Sequence, residues 1–130
     1  MFRMFLAQRS ELTVRNYLID LEHFTRWMTM QTRKLPWADV CTRKVPRAAI
    51  ESTLLGVFSL KEVGASSLVA QYLDDMRSGR LGRKYAVQTI NHRLAALKSI
   101  ARLASTLEIS EVTLSEVKGL KASASRSTAG

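Results

Sequence analysis

The chain has 130 residues, 46% of them apolar, and carries 20 Lys and Arg against 11 Asp and Glu, a formal charge of +9. That length suits one domain with its own core, and the apolar share excludes collagen-like and disordered classes. So large an excess of positive charge on so small a body calls for a polyanion, either nucleic acid or an anionic membrane surface.

Strand signals are nearly absent, and helical periodicity runs through the chain. Val14, Tyr17, Leu18, Leu21, Phe24, Thr25 and Met28 fall on one face of a helix predicted over residues 11–30, with Ser10 as its N-cap. Pro36 and Pro46 and the basic pairs Arg33-Lys34 and Arg43-Lys44 then mark a loop, with Trp37 as an anchor within it. Pro46 suits the first position of a second helix, whose apolar face is Ile50, Leu54, Val57 and Phe58 and whose interior holds Gly56. A third helix is expected after Ser66 or Ser67 as cap, with Leu68, Val69, Tyr72, Leu73 and Met76 as its stripe, ending at the glycines of RSGRLGRK. The fourth is predicted over 87–107, with Ile90, Leu94, Leu97, Ile100 or Ala101, Ala104 and Leu107 inward and Arg93, Lys98 and Arg102 on other faces. Thr113 and Glu116 form a capping box for a short fifth helix ending near Gly119, and KASASRSTAG reads as a linker or frayed end. The fold class expected is all-α, a single compact bundle of four to five helices.

Residues 76–107 hold seven basic side chains (Arg77, Arg80, Arg83, Lys84, Arg93, Lys98, Arg102) and no Asp or Glu. Scattered cations on a solvated face would not be so one-sided, and with Gln88, Thr89, Asn91 and His92 among them the stretch reads as a phosphate-facing surface. Gln88, His92 and Arg93 lie on related faces at the start of the fourth helix, where amide dipoles, amide donors and cations converge in a way that suits a phosphate or the floor of a major groove. An ordinary polar first turn would have the same composition.

No enzyme constellation emerges. Asp74 and Asp75 are adjacent and point about 100° apart on a helix, so they cannot share a proton as acid and base, and both read as solvated surface. Cys41 stands next to Arg43 and Lys44 but has no second cysteine or placed histidine, and His23 and His92 complete no metal-ligand set. Neither metal nor cofactor is expected, and the lone cysteine fits a reducing, cytoplasmic setting. The apolar opening MFRMFL is too short for a signal peptide, and no run approaches the roughly 18 residues of a membrane span. No membrane partner or small-molecule substrate is therefore expected.

The segment SELTVRNYLIDLEHFTRWM carries Ser10, Thr13, Tyr17, Asp20-Leu21, Phe24 and Trp27. It resembles the first helix of the core-binding domain of tyrosine recombinases and phage integrases. AVQTINHRLAALKSIARLA, through Thr89-Ile90, Arg93-Leu94 and Leu97, is similar to that family's Thr-Ile-x-x-Arg-Leu-x-x-Leu helix, and SLKEVGASSLVAQYLDDM to the helix between them that carries a Tyr-Leu pair. The resemblance implies a SAM-like core-binding domain over 1–119 that clamps one side of double-stranded DNA, with 120–130 a linker toward an absent catalytic domain. It implies a cytoplasmic, nucleoid-associated protein that meets other recombinase protomers on DNA. The contacts it implies are Thr13, Arg15 and Asn16 on the first helix, Gln88, Thr89, His92 and Arg93 on the later one, and Arg83 and Lys84 on phosphate.

The chain departs from the pattern in three ways. Ala86 stands where the family has a Ser-type cap, and residues 31–60 exceed the family's short connection by an extra loop and helix. The nucleophilic tyrosine with its arginines, lysine and histidines is missing, so no catalytic residue is assigned and the chain is expected to be inactive alone. Composition by itself leaves two other readings, a basic helical protein-interaction module and a stand-alone accessory DNA-binding protein.

Overall fold

A computed structural model describes Ala7 and residues 10–60 and 64–106, with backbone only for 103–106. Five helices form among the described residues, without strands: α1 (Glu11–Arg33), α2 (Trp37–Val40), α3 (Arg47–Phe58), α4 (Gly64–Ser78) and α5 (Val87–Thr106). None is long and apolar enough to cross a membrane. The capping box at Thr113 and Glu116, the end at Gly119, the inward Leu107 and the tail lie outside the described residues.

Ser10 opens α1, its side chain accepting from the Thr13 amide at 3.2 Å and donating to Thr13 Oγ1 at 2.8 Å. The helix runs three residues past the predicted 30 and closes on Lys34, which takes the left-handed conformation at φ 53° and donates its amide to the Met30 carbonyl. Pro36 then enforces the break. The expected loop contains one helical turn, α2, which seats Trp37 against the core and buries Val40. Pro46 caps α3 instead of opening it: its backbone is extended, and its carbonyl accepts from the amides of Ala49 and Ile50.

The third predicted helix begins earlier than its serines suggested. Ala65 is fully buried and extends the stripe of Val69, Leu73 and Met76 by one turn, so Gly64 leads and Ser66 and Ser67 lie inside α4. The turn after α4 uses Gly79 and Gly82 at φ +88° and +87°, a region that side-chain-bearing residues rarely adopt. The amide of Tyr85 returns to the Met76 carbonyl at 3.0 Å, which fixes where α5 starts.

Helix α1 packs against α2, α3 and α5, while α3 and α4 pack on each other and on α5. Tyr17 reaches Ser99, Asp20 reaches His92, and His23 reaches Tyr85, so α1 and α5 run antiparallel. Leu21, Phe24, Trp27, Leu54, Tyr72, Leu97 and Ile100 fill the centre. Burying such side chains stabilises by roughly 1.5–3 kcal/mol each before chain entropy is counted. Phe24, Trp27 and Tyr72 meet ring to ring, with centroids 5.1–5.8 Å apart.

Trp27 is fully buried, and one expectation is overturned beside it. Asp75, expected to be solvated, is 2% exposed: its Oδ2 accepts from the Trp27 indole N–H at 2.8 Å, and its Oδ1 meets Arg80 at 3.3 Å. A buried indole N–H needs an acceptor, and the 100° between adjacent helix positions sends Asp75 inward while Asp74 stays outside.

Candidate nucleic acid interface

The inward stripe of α1 includes Asp20, between Tyr17 and Phe24 in helical register and only 7% exposed. A carboxylate there requires compensation, and α5 supplies it. His92 Nδ1 stands 2.7 Å from Asp20 Oδ2, and Arg93 donates to Oδ1 at 3.3 Å. The contact assigns the proton on Nδ1, because a carboxylate only accepts, and so turns His92 Nε2 away from Asp20. The exposed ring is thereby held in one orientation on the outer face of the bundle.

Asp20, Gln88, Thr89 and His92 line an open groove of about 390 Å³. Its floor is an acid and its rim is polar, which is a poor cradle for a phosphate. The exposed Gln88 amide and His92 Nε2 offer the donors and acceptors that read base edges. Asn16 is exposed one turn before Asp20, so it faces the same way as the groove, about 6 Å further along α1. Arg15 is exposed beside it. Thr13 differs: its hydroxyl is engaged with Ser10 at the cap, so its visible role is to start the helix. Arg93, expected on an outer face, is 13% exposed and serves Asp20 instead of solvent. Its Nε finds no acceptor among the described residues, and the guanidinium lies 5.8 Å from the Tyr85 ring centroid. Ala86 has no side-chain oxygen to cap α5, and its carbonyl accepts from the Ile90 amide.

Arg83 and Lys84 are exposed on the turn ahead of α5, with the Arg83 guanidinium 4.8 Å over the Tyr85 ring. Antiparallel packing places this turn near residue 23 of α1, about 10 Å along the axis from Asn16. Gln88, Thr89 and His92 therefore line the α1/α5 groove, with Arg93 turned in to Asp20 and Arg83 and Lys84 at the adjoining turn, whereas Arg15 lies in register with Leu12 and Ile19 on the outer side of α1 and Thr13 is set apart by its capping role. The excess of charge over 76–107 is smaller in the folded chain, since Arg77 pairs with Asp74, Arg80 with Asp75 and Arg93 with Asp20, which leaves Arg83 and Lys84 as the cations presented at the head of α5.

Beneath this turn sits a group that the sequence did not single out. His23, buried on α1, lies between two tyrosine hydroxyls, Tyr72 at 2.6 Å from Nδ1 and Tyr85 at 2.9 Å from Nε2. Burial first, and then the charges of Arg93, Arg26 and Arg83, push its pKa down to about 3. The ring is therefore neutral, with one nitrogen accepting and the other donating. Burial likewise holds the Tyr72 hydroxyl above the ordinary tyrosine range, so it keeps its proton. This relay fixes Tyr85, and with it the platform under Arg83. Among the described residues no group of three or more His, Cys, Asp or Glu is placed to hold a metal ion.

Comparison with family models, with curated proteins and with solved structures finds no match to this chain. Its class therefore rests on fold and site: an all-helical bundle with a cation-flanked polar groove between its first and last described helices.

Proposed function

We propose that this chain is a DNA-binding domain of the core-binding, SAM-like kind that tyrosine recombinases and integrases use to clamp duplex DNA, inactive in strand cleavage by itself. The observation that carries the reading is the groove between α1 and α5. Gln88 and an oriented His92 line it, with Arg83 and Lys84 at the adjoining turn and Asn16 exposed one helical turn beyond Asp20 on α1. Polar groups able to read base edges are flanked by cations able to meet the backbone. Other protomers on the same DNA, and a cytoplasmic, nucleoid-associated setting, belong to this proposal.

The test is a mobility-shift and anisotropy titration against duplex DNA at several salt concentrations. Affinity should fall steeply with salt. Arg83→Glu with Lys84→Glu should weaken binding to all sequences, whereas His92→Ala or Gln88→Ala should relax preference by about 1–3 kcal/mol for each base interaction removed. Affinity indifferent to the charge reversals refutes the placement of the interface. A second reading, a protein-interaction module, draws support from Leu12 and Ile19, apolar side chains 65% and 53% exposed on the outer side of α1. Absence of any retardation at low salt would favour it over DNA.

A further inference from the structure

The connection between α1 and α3 forms a second cationic surface, separate from the α5 groove. Residues 23–50 contain Arg26, Arg33, Lys34, Arg43, Lys44 and Arg47 against one acid, Asp39. The fold gathers four of these cations, Arg26, Arg33, Arg43 and Lys44, around a cleft of about 190 Å³ that Thr29 and Thr53 also line.

The backbone of this cleft is anchored. Glu22 Oε1 pairs with Arg26 at 3.0 Å and its Oε2 accepts the Val45 amide at 3.2 Å, while Arg26 Nε donates to the Arg43 carbonyl at 2.7 Å. Both carboxylate oxygens of Glu22 are thus committed. Among the described residues no carboxylate pairs with Arg33, Arg43 or Lys44. All three side chains are exposed, and two of them extend from a segment held at both ends to α1. The cleft therefore concentrates uncompensated positive charge on a fixed frame, the arrangement that captures a compact polyvalent anion. The same segment also lines the other basic side of the molecule: Trp37, Ala38 and Cys41 border a groove of about 690 Å³ shared with Arg80, Arg83 and Tyr85.

We propose that the cleft at Arg33, Arg43 and Lys44 is a phosphate-binding site that holds the nucleic acid backbone, so that the residues between α1 and α3 add a second contact to the grip made at α5. This rests on the DNA-binding reading above. The decisive measurement is the salt dependence of duplex DNA binding by the full chain and by Arg43→Glu with Lys44→Glu. Neither substitution removes the Arg43 carbonyl or the Val45 amide that tie the segment down, and Arg33→Gln with Lys44→Gln serves as a milder pair. Removing one phosphate interaction should reduce the fall in affinity between 50 and 200 mM salt by about 3.5-fold, and removing two by about 12-fold. In parallel, titration of inorganic phosphate should move the amide resonances of residues 43–45 and 53 in the wild type and not in the variants. Reduced salt dependence in both variant pairs supports the proposal. Unchanged salt dependence, with DNA still bound through Arg83 and Lys84, overturns it and leaves the DNA-binding reading standing. Saturable phosphate shifts in a chain that binds no DNA overturn the backbone contact together with the DNA reading and leave a site for a free phosphate group.

Discussion

Replacing His23 by Phe removes a titrating group from the centre of the protein while keeping a ring of similar size. At pH 7 the change leaves the fully buried Tyr72 hydroxyl without its partner at 2.6 Å, at a cost of about 1–3 kcal/mol, while the half-buried Tyr85 hydroxyl turns to water. Acid reverses the balance. With a folded pKa of about 3 against 6.5 in the unfolded chain, the unfolded state takes up a proton below pH 6.5 that the folded state refuses. The contribution of a neutral His23 is complete above pH 6.5 and is lost as pH falls toward 3, at up to about 1.4 kcal/mol per pH unit. Between pH 7 and pH 5 the wild type should lose about 2 kcal/mol from this residue alone, and over the whole window roughly 5 kcal/mol. Only residue 23 differs between the two proteins, so the comparison isolates its contribution. Urea unfolding at pH 7, 6 and 5 should therefore show the wild type ahead at pH 7 and its lead cut by about 2 kcal/mol at pH 5. A constant offset across that range would refute a neutral, proton-refusing His23.

Two further substitutions probe the fold. Asp75→Ala deprives the buried Trp27 indole of its acceptor and should destabilise by about 1–3 kcal/mol, whereas Asp75→Asn keeps an acceptor oxygen and should recover most of that deficit in the same urea assay. Gly56 lies inside α3 with nothing within 4 Å of an added Cβ, so Gly56→Ala should stabilise by about 1 kcal/mol, read as a higher melting temperature.

The helices were legible because their signal is local. The stripe from Tyr17 to Phe24, the Ser10 cap and the glycine stop after α4 each depend on residues within a few positions of one another, and the structure reproduces them. What escaped was long-range pairing. Asp75 is separated by 48 positions from the tryptophan it serves, and His23 by 49 and 62 from its two tyrosines, so no window along the chain contains either arrangement. The one-sided charge of 76–107 was overstated for a different and local reason: a stretch begun at residue 76 leaves out Asp74 and Asp75, the partners of Arg77 and Arg80 three and five positions away. Asp20 offered a usable sign, since a carboxylate in register with Tyr17 and Phe24 must face inward and find cations there. The segment between α1 and α3 was visible as two basic pairs, but its clip through Glu22 was not, because the carboxylate and the Val45 amide come together only when the chain doubles back.

The antiparallel seam of α1 and α5 also bears on how the molecule comes into being. Its hydrogen bonds, together with the one to the turn ahead of α5, join residues 62 to 82 positions apart, so closing it requires a large loop to form before any contact rewards it. The groove at this seam is thus a late product of folding. A chain emerging from the ribosome has no assembled groove until α5 docks, and His92 acquires its fixed orientation in the same event that completes the core. Assembly of the groove and completion of the core therefore arrive together, and any ligand held at that seam would stabilise the whole bundle at once.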